Sequence, residues 1–419
     1  MSNILENEPA QPTGSAVAHM SDASSMSAAA VQVQRLTFVQ RLRGDLGFLP
    51  VLLTLLVIGA YFQVTSPDHI FLNPRNLSNI VLEIATIGTL ALGVVPVLLL
   101  GEIDLSLASV STFCASVMAV LAERKGVPAG LALVAGILSG TVVGLINGFF
   151  IAVLRVPSFI VTLAGFIAYA GLVLKVLEPN TTLIVRSQFI NGLAGNYLPD
   201  TLGIGLPTAA LVLYVGSLLL NYFTRRQAGL RTVTIIQLLV QIVIAVAVVE
   251  GAVSLFESYQ GVPESGAILI GLILIMWLML TKTGFGRHIY AVGGNAEAAR
   301  RTGINVTGVR LTVFALSSTL AAIGGILATS RETAVASQIP STLLLDAIAA
   351  AVIGGVSLFG GRGSAWAVIL GALIIGSLEN GLALLGGSQA TQEIVEGSVL
   401  LFAVTVDAFV RRANTRSGR

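Results

Sequence analysis

Long apolar runs constrain the fold of this chain more than any other feature. Twelve of them lie at about residues 46–65, 79–100, 105–121, 127–154, 158–177, 207–223, 232–255, 265–280, 309–329, 343–359, 365–386 and 392–410. A helix needs roughly 20 mostly apolar residues to cross the hydrocarbon of a bilayer. In lipid every backbone N–H and C=O must be paired inside the protein, so such runs become helices. The composition agrees. Hydrophobic residues make up 55% of the chain and charged residues 11%, against roughly 25% charged in an ordinary soluble domain. The 45 glycines suit close helix–helix approach in a membrane. The expectation is an all-α, polytopic transmembrane helical bundle of about ten to twelve spans.

Residues 1–34 are rich in Ser, Ala and polar side chains without apolar periodicity, and read as a disordered tail. They lack the basic start and apolar core of a signal peptide. The remainder, 35–419, reads as one membrane domain. If the N-terminus is cytoplasmic, alternate loops are too, and those loops carry 17 of the 23 Lys and Arg residues, with 6 left outside. Basic residues concentrate on the cytoplasmic side of membrane proteins. The count therefore predicts cytoplasmic N- and C-termini. The net charge of +2 gives no reason to expect nucleic acid.

A weak internal repeat is visible. Ile103-Asp104-Leu105-Ser106-Leu107-Ala108 opens the third span, and Leu345-Asp346-Ala347-Ile348-Ala349-Ala350 lies near the start of the tenth. The fourth span carries Gly144-Leu145-Ile146-Asn147-Gly148, and the eleventh Gly376-Ser377-Leu378-Glu379-Asn380-Gly381. The charge count makes each pair antiparallel, as in the inverted repeats of transporters. Coincidence among Gly- and Ala-rich helices is the competing reading.

The loop at 282–310 is the most informative stretch. Asn295 is placed to cap a helix, Glu297 suits its first turn, Arg300 and Arg301 suit its last, and Gly303 is a C-terminal stop. A helix this short is marginal in water unless something holds it. It reads either as an interfacial helix on lipid headgroups or as a docking knob for a cytoplasmic partner.

Its Glu-Ala-Ala…Gly pattern, Glu297-Ala298-Ala299…Gly303, resembles the coupling loop of ATP-binding cassette importer permeases. The chain as a whole resembles the ribose/xylose group of sugar permeases. Gly101-Glu102-Ile103-Asp104-Leu105-Ser106 is similar to that family's acidic signature after the second span. Pro157-Ser158-Phe159-Ile160-Val161-Thr162-Leu163-Ala164-Gly165, Leu345–Gly355 and Asn380-Gly381-Leu382 follow in the family's order. The family usually has about ten spans, and an extra pair near 207–255 resembles an extension of the xylose branch. The resemblance implies a monosaccharide importer, for a pentose such as xylose. It also implies ATPase subunits inside, a sugar-binding protein outside, a permease homodimer and a lipid surround. Asn295, Glu297, Ala298, Ala299, Arg300 and Gly303 would couple to the ATPase. A secondary transporter driven by an ion gradient, or an ATP-binding cassette permease for another small polar solute, is the alternative.

Acidic and amide residues inside apolar runs are candidates for the translocation path: Glu102, Asp104, Asn147, Asp346 and Asn380, with Glu379, Glu393 and Glu396 nearby. Buried charge in lipid is costly and often functional. Asp104 and Asp346 read first as helix caps of the third and tenth spans and only second as path residues. The others could equally bond helix to helix. No Gly-x-x-x-x-Gly-Lys-Ser/Thr occurs, so no loop here cradles ATP. No catalytic constellation or cofactor motif is present. His19, His69 and His288 have no metal-ligand spacing. Cys114 reads as a buried, unreactive thiol.

Overall fold

Apolar sequence becomes helix throughout the computed structural model, which describes residues 49–230, 232–340 and 342–399, with 401 and 405. The expected tail at 1–34 lies outside the described residues. The helices are α1 (Leu49–Thr65), α2 (Pro74–Leu99), α3 (Leu107–Glu123), α4 (Ala129–Gly148) and α5 (Ser158–Leu177). Then come α6 (Gln188–Gly195), α7 (Asp200–Gln227), α8 (Ile235–Glu257), α9 (Glu264–Lys282), α10 (Gly284–Gly294) and α11 (Ala296–Arg301). The last are α12 (Val306–Glu332), α13 (Thr342–Ile353), α14 (Ala367–Leu384) and a helix α15 over 389–399. A π turn, Phe149–Val153, prolongs α4.

Eight of the described helices are long and apolar enough to cross a membrane, and three shorter apolar ones accompany them. Each of the twelve predicted spans meets a helix, although the twelfth extends beyond the described residues. The second begins earlier than expected because Asn73 caps it, accepting a hydrogen bond from the Arg75 N–H at 3.1 Å, and Pro74 occupies its first turn. Its 26 residues rise about 39 Å, enough to cross with tilt. The tenth span is shorter than expected. It stops at Ile353, because Gly355 takes φ +105°, although the sequence stays apolar to Phe359.

The core is two long helices, α2 and α12, packed on each other and buried along most of their length. Around them the packing is reciprocal. α2 lies against α13 and α14, α12 lies against α3 and α4, and α3–α4 matches α13–α14. Each half thus lends its long helix to the next two helices of the other half, which is the pattern an inverted repeat produces. Close approach depends on glycine. A Cβ on Gly144 of α4 would collide with the Phe314 carbonyl of α12. α7 and α8 pack on each other and show apolar side chains outward over most of their surface. That is where the extra pair of the sequence reading falls.

Loops assigned to one side by charge meet one another. At one end, called here the basic end, Gly361 N–H donates to the Leu99 carbonyl at 2.9 Å, Glu102 pairs with Arg310 at 2.9 Å, and Tyr290 Oη donates to the Gly363 carbonyl at 2.9 Å. At the far end Arg124 donates to the Leu177 and Glu178 carbonyls at 2.7 Å each. There too Ala194 N–H donates to Ser330 Oγ at 2.8 Å. The far end also holds the only described sheet, β1 (Thr182–Ile184) antiparallel to β2 (Ala334–Ala336).

Candidate functional site

At the basic end, three side-chain caps shape the connection between α9 and α12. Thr283 Oγ1 accepts from the Gly286 N–H at 3.1 Å, Asn295 Oδ1 from the Ala298 N–H at 2.9 Å, and Asn305 Oδ1 from the Gly308 N–H at 2.9 Å. Gly303 takes φ +88°, a left-handed turn that L side chains enter at a cost. α11 is therefore the capped helix that the sequence spells. It does not stand alone, because α10 precedes it and anchors it. Ile289, Val292 and Ala299 are buried. A Cβ on Gly293 would strike the Leu99 carbonyl at the end of α2. Burial pushes the Tyr290 phenol above its ordinary value, and its hydroxyl donates to the Gly363 carbonyl.

The face left open carries Glu297, Ala298, Arg300 and Arg301. Glu297 lies 3.9 Å from Arg300 and 3.4 Å from Arg301, exposed pairs of little energetic weight, so its carboxylate is free to exchange partners. Ala299 departs from the expectation that Ala298 and Ala299 both face a partner. It is 5% exposed and turned into this chain's own core. Beside α11 a cavity of about 270 Å³ is ringed by Glu102, Arg155, Arg300 and Arg310.

The five candidate path residues divide between the two ends. Toward the basic end, Asp104 Oδ1 accepts from the Ser106 N–H at 2.9 Å and from Ser106 Oγ at 2.6 Å. Asn147 Nδ2 donates to Ser106 Oγ at 3.1 Å, and Tyr169 Oη donates to Asn147 Oδ1 at 2.7 Å. All four side chains are buried. Asp104 is thus part of an Asx-type turn just ahead of α3, and its Oδ2 has no partner. Glu102 is occupied by Arg310.

Toward the far end, a cavity of about 190 Å³ is lined by Glu83, Thr86, Thr329, Arg331, Asp346 and Glu379 among others. Arg331 reaches Glu83 at 3.6 Å. Asn76 Nδ2 donates to Asn380 Oδ1 at 2.8 Å, tying α2 to α14. Asp346 is not a cap. α13 starts at Thr342, so Asp346 falls inside the helix, buried and facing the cavity. Sequence reasoning missed Glu83, Thr86, Arg331 and Tyr169. Glu83 alone had a visible signal, a carboxylate inside the apolar run of α2.

Residues 76–404 match the family described as branched-chain amino acid transport system / permease component. The chain belongs to that family. It is a multi-pass membrane protein and a transport subunit rather than an enzyme. It is 37% identical over 359 residues to the xylose transport system permease protein XylH of Haemophilus influenzae, covering 85% of this chain and 95% of that one. The xylose permease XylH of Escherichia coli K12 is 36% identical, over 86% of this chain and 92% of that one. The ribose import permease RbsC of Bacillus subtilis is 32% identical, over 85% and 91%. No solved structure matches.

Proposed function

We propose that this permease component carries a pentose, xylose in the first instance, into the cytoplasm as the membrane subunit of an ATP-binding cassette importer. The observation that carries this reading is the similarity to xylose permeases along nearly their whole length. Two copies of the chain form the path in the bacterial inner membrane, surrounded by lipid, with both termini cytoplasmic. The membrane domain spans 35–419, after a tail at 1–34. ATPase subunits dock at the basic end and a sugar-binding protein delivers at the far end.

Energy enters through α11. Asn295 and Gly303 fix its two ends, and Glu297, Ala298 and Arg300 form the face that the ATPase grips. Because α10 is keyed to Leu99 and Gly361, a push on α11 reaches the end of α2 and the loop that leads into α14. The path runs from the far-end cavity, past Asp346 and Asn380, toward Glu102, Asp104 and Asn147. A neutral sugar needs a few fixed hydrogen-bonding groups on an otherwise apolar wall, and both clusters offer them. Growth and labelled-sugar uptake by a deletion strain on a panel of monosaccharides tests the substrate. Selective loss of xylose uptake, restored by the gene, is the expected result; unchanged uptake of every pentose refutes it.

A further inference from the structure

Three consecutive helices bring carboxylates to one point near the far end: Asp346 from α13, Glu379 from α14 and Glu396 from α15. One carboxylate oxygen from each lies within 4.8 Å of the other two. Asp346 is 3% and Glu396 7% exposed, and Glu379 lines the same cavity as Glu83 and Asp346. The nearby cation, Arg331, is turned to Glu83. Among the described residues no Lys or Arg pairs with any of the three. Three carboxyl groups this close, inside a membrane protein, need compensation, either a bound cation or protons.

Two further atoms bear on what supplies it. Glu396 Oε2 is buried and has no hydrogen-bond partner. Thr86 on α2 lines the same cavity as Asp346 and Glu379, is 7% exposed, and its Oγ1 has no partner either. A helical threonine usually satisfies its hydroxyl on the carbonyl one turn back. This one does not. Carboxylates with a neutral oxygen are the donor set of a hard cation. Ligand oxygens that lie within 4.8 Å of one another are close enough for one hard cation to bridge, and calcium, with its flexible oxygen coordination, is the natural probe.

We propose that Asp346, Glu379 and Glu396 bind a hard divalent cation such as calcium where α13, α14 and α15 meet, beside the far-end cavity. The ion fastens α13, α14 and α15 together and neutralises a wall that an uncharged solute can then pass.

The test uses the purified full chain in lipid nanodiscs, stripped with chelator and then titrated with calcium chloride. Radioactive-calcium equilibrium dialysis and the melting temperature are the readouts. The wild type is expected to show saturable binding at a single site and a melting temperature that climbs with calcium. Glu396→Gln and Asp346→Asn are each expected to weaken binding roughly tenfold or more. Glu297→Gln, at the opposite end, keeps it. Absence of saturable binding in the wild type overturns the proposal whatever the variants do. So does binding that survives both far-end substitutions. A melting temperature that responds to pH but not to calcium also overturns it, since protons would then supply the compensation.

Discussion

Gly293 and Gly294 are neighbours at the end of α10, yet a methyl group should have opposite consequences at the two positions. At Gly293 an added Cβ runs into the Leu99 carbonyl oxygen and lies 2.9 Å from the Gly361 N–H. Both obstacles are backbone, so no side chain can swing away. Overpacking of this kind costs about 1–3 kcal/mol. Separating the segments also weakens the Gly361–Leu99 hydrogen bond, worth about 1 kcal/mol. Gly293→Ala should therefore destabilise the basic end by about 2–4 kcal/mol. At Gly294 nothing lies within 4 Å of the added Cβ, and alanine gains up to about 1 kcal/mol of helix propensity. Melting in nanodiscs and uptake in cells, at matched membrane abundance, read both variants. The expected result is a lower melting temperature and reduced uptake for Gly293→Ala alone. Equal behaviour of the two would refute the idea that α10 is keyed to the end of α2.

Glu297→Lys removes the one negative charge on the open face of α11 without touching a buried contact, so insertion should be normal while an ATPase subunit no longer co-purifies and uptake stops. Gly303→Val forces a β-branched residue to φ +88°, at a cost of about 1–2 kcal/mol or more; Gly303→Asn should be distinctly milder by the same pull-down. Asp104→Asn keeps the Oδ1 acceptor that Ser106 uses, so uptake should be largely retained; loss of uptake at normal abundance would show that the charge itself is needed. Tyr169→Phe leaves Asn147 Oδ1 without its buried donor, and a loss of about 1–3 kcal/mol is expected in denaturant or thermal melting.

What the sequence made legible was local. Apolar run length locates the helices, and Asn295 and Gly303 announce their roles because a cap and a left-handed stop are decided by a few adjacent residues. The Asp104/Asp346 and Asn147/Asn380 correspondences foreshadow the exchange of long helices between halves. The features that escaped depend on tertiary contact. β1 and β2 are three residues each and lie far apart in the chain, too little pattern for hydropathy to register. Apolar residues at 354–359 extend the tenth span in sequence beyond its helical end at Ile353, and composition does not disclose the φ of Gly355. Asp346 reads as a cap from local sequence, whereas α13 starts four residues earlier at Thr342, soon after Pro340. The carboxylates of Asp346, Glu379 and Glu396 come from three helices, so no spacing rule brings them together.

The proposed function turns on where the driving energy comes from, and reconstitution addresses that directly. The chain, its co-purified ATPase and a sugar-binding protein are placed in proteoliposomes with labelled xylose outside the binding-protein face. The account predicts xylose accumulation that requires ATP on the α11 side and disappears with Glu297→Lys. Accumulation driven by a sodium or proton gradient without ATP, and untouched by Glu297→Lys, would contradict it.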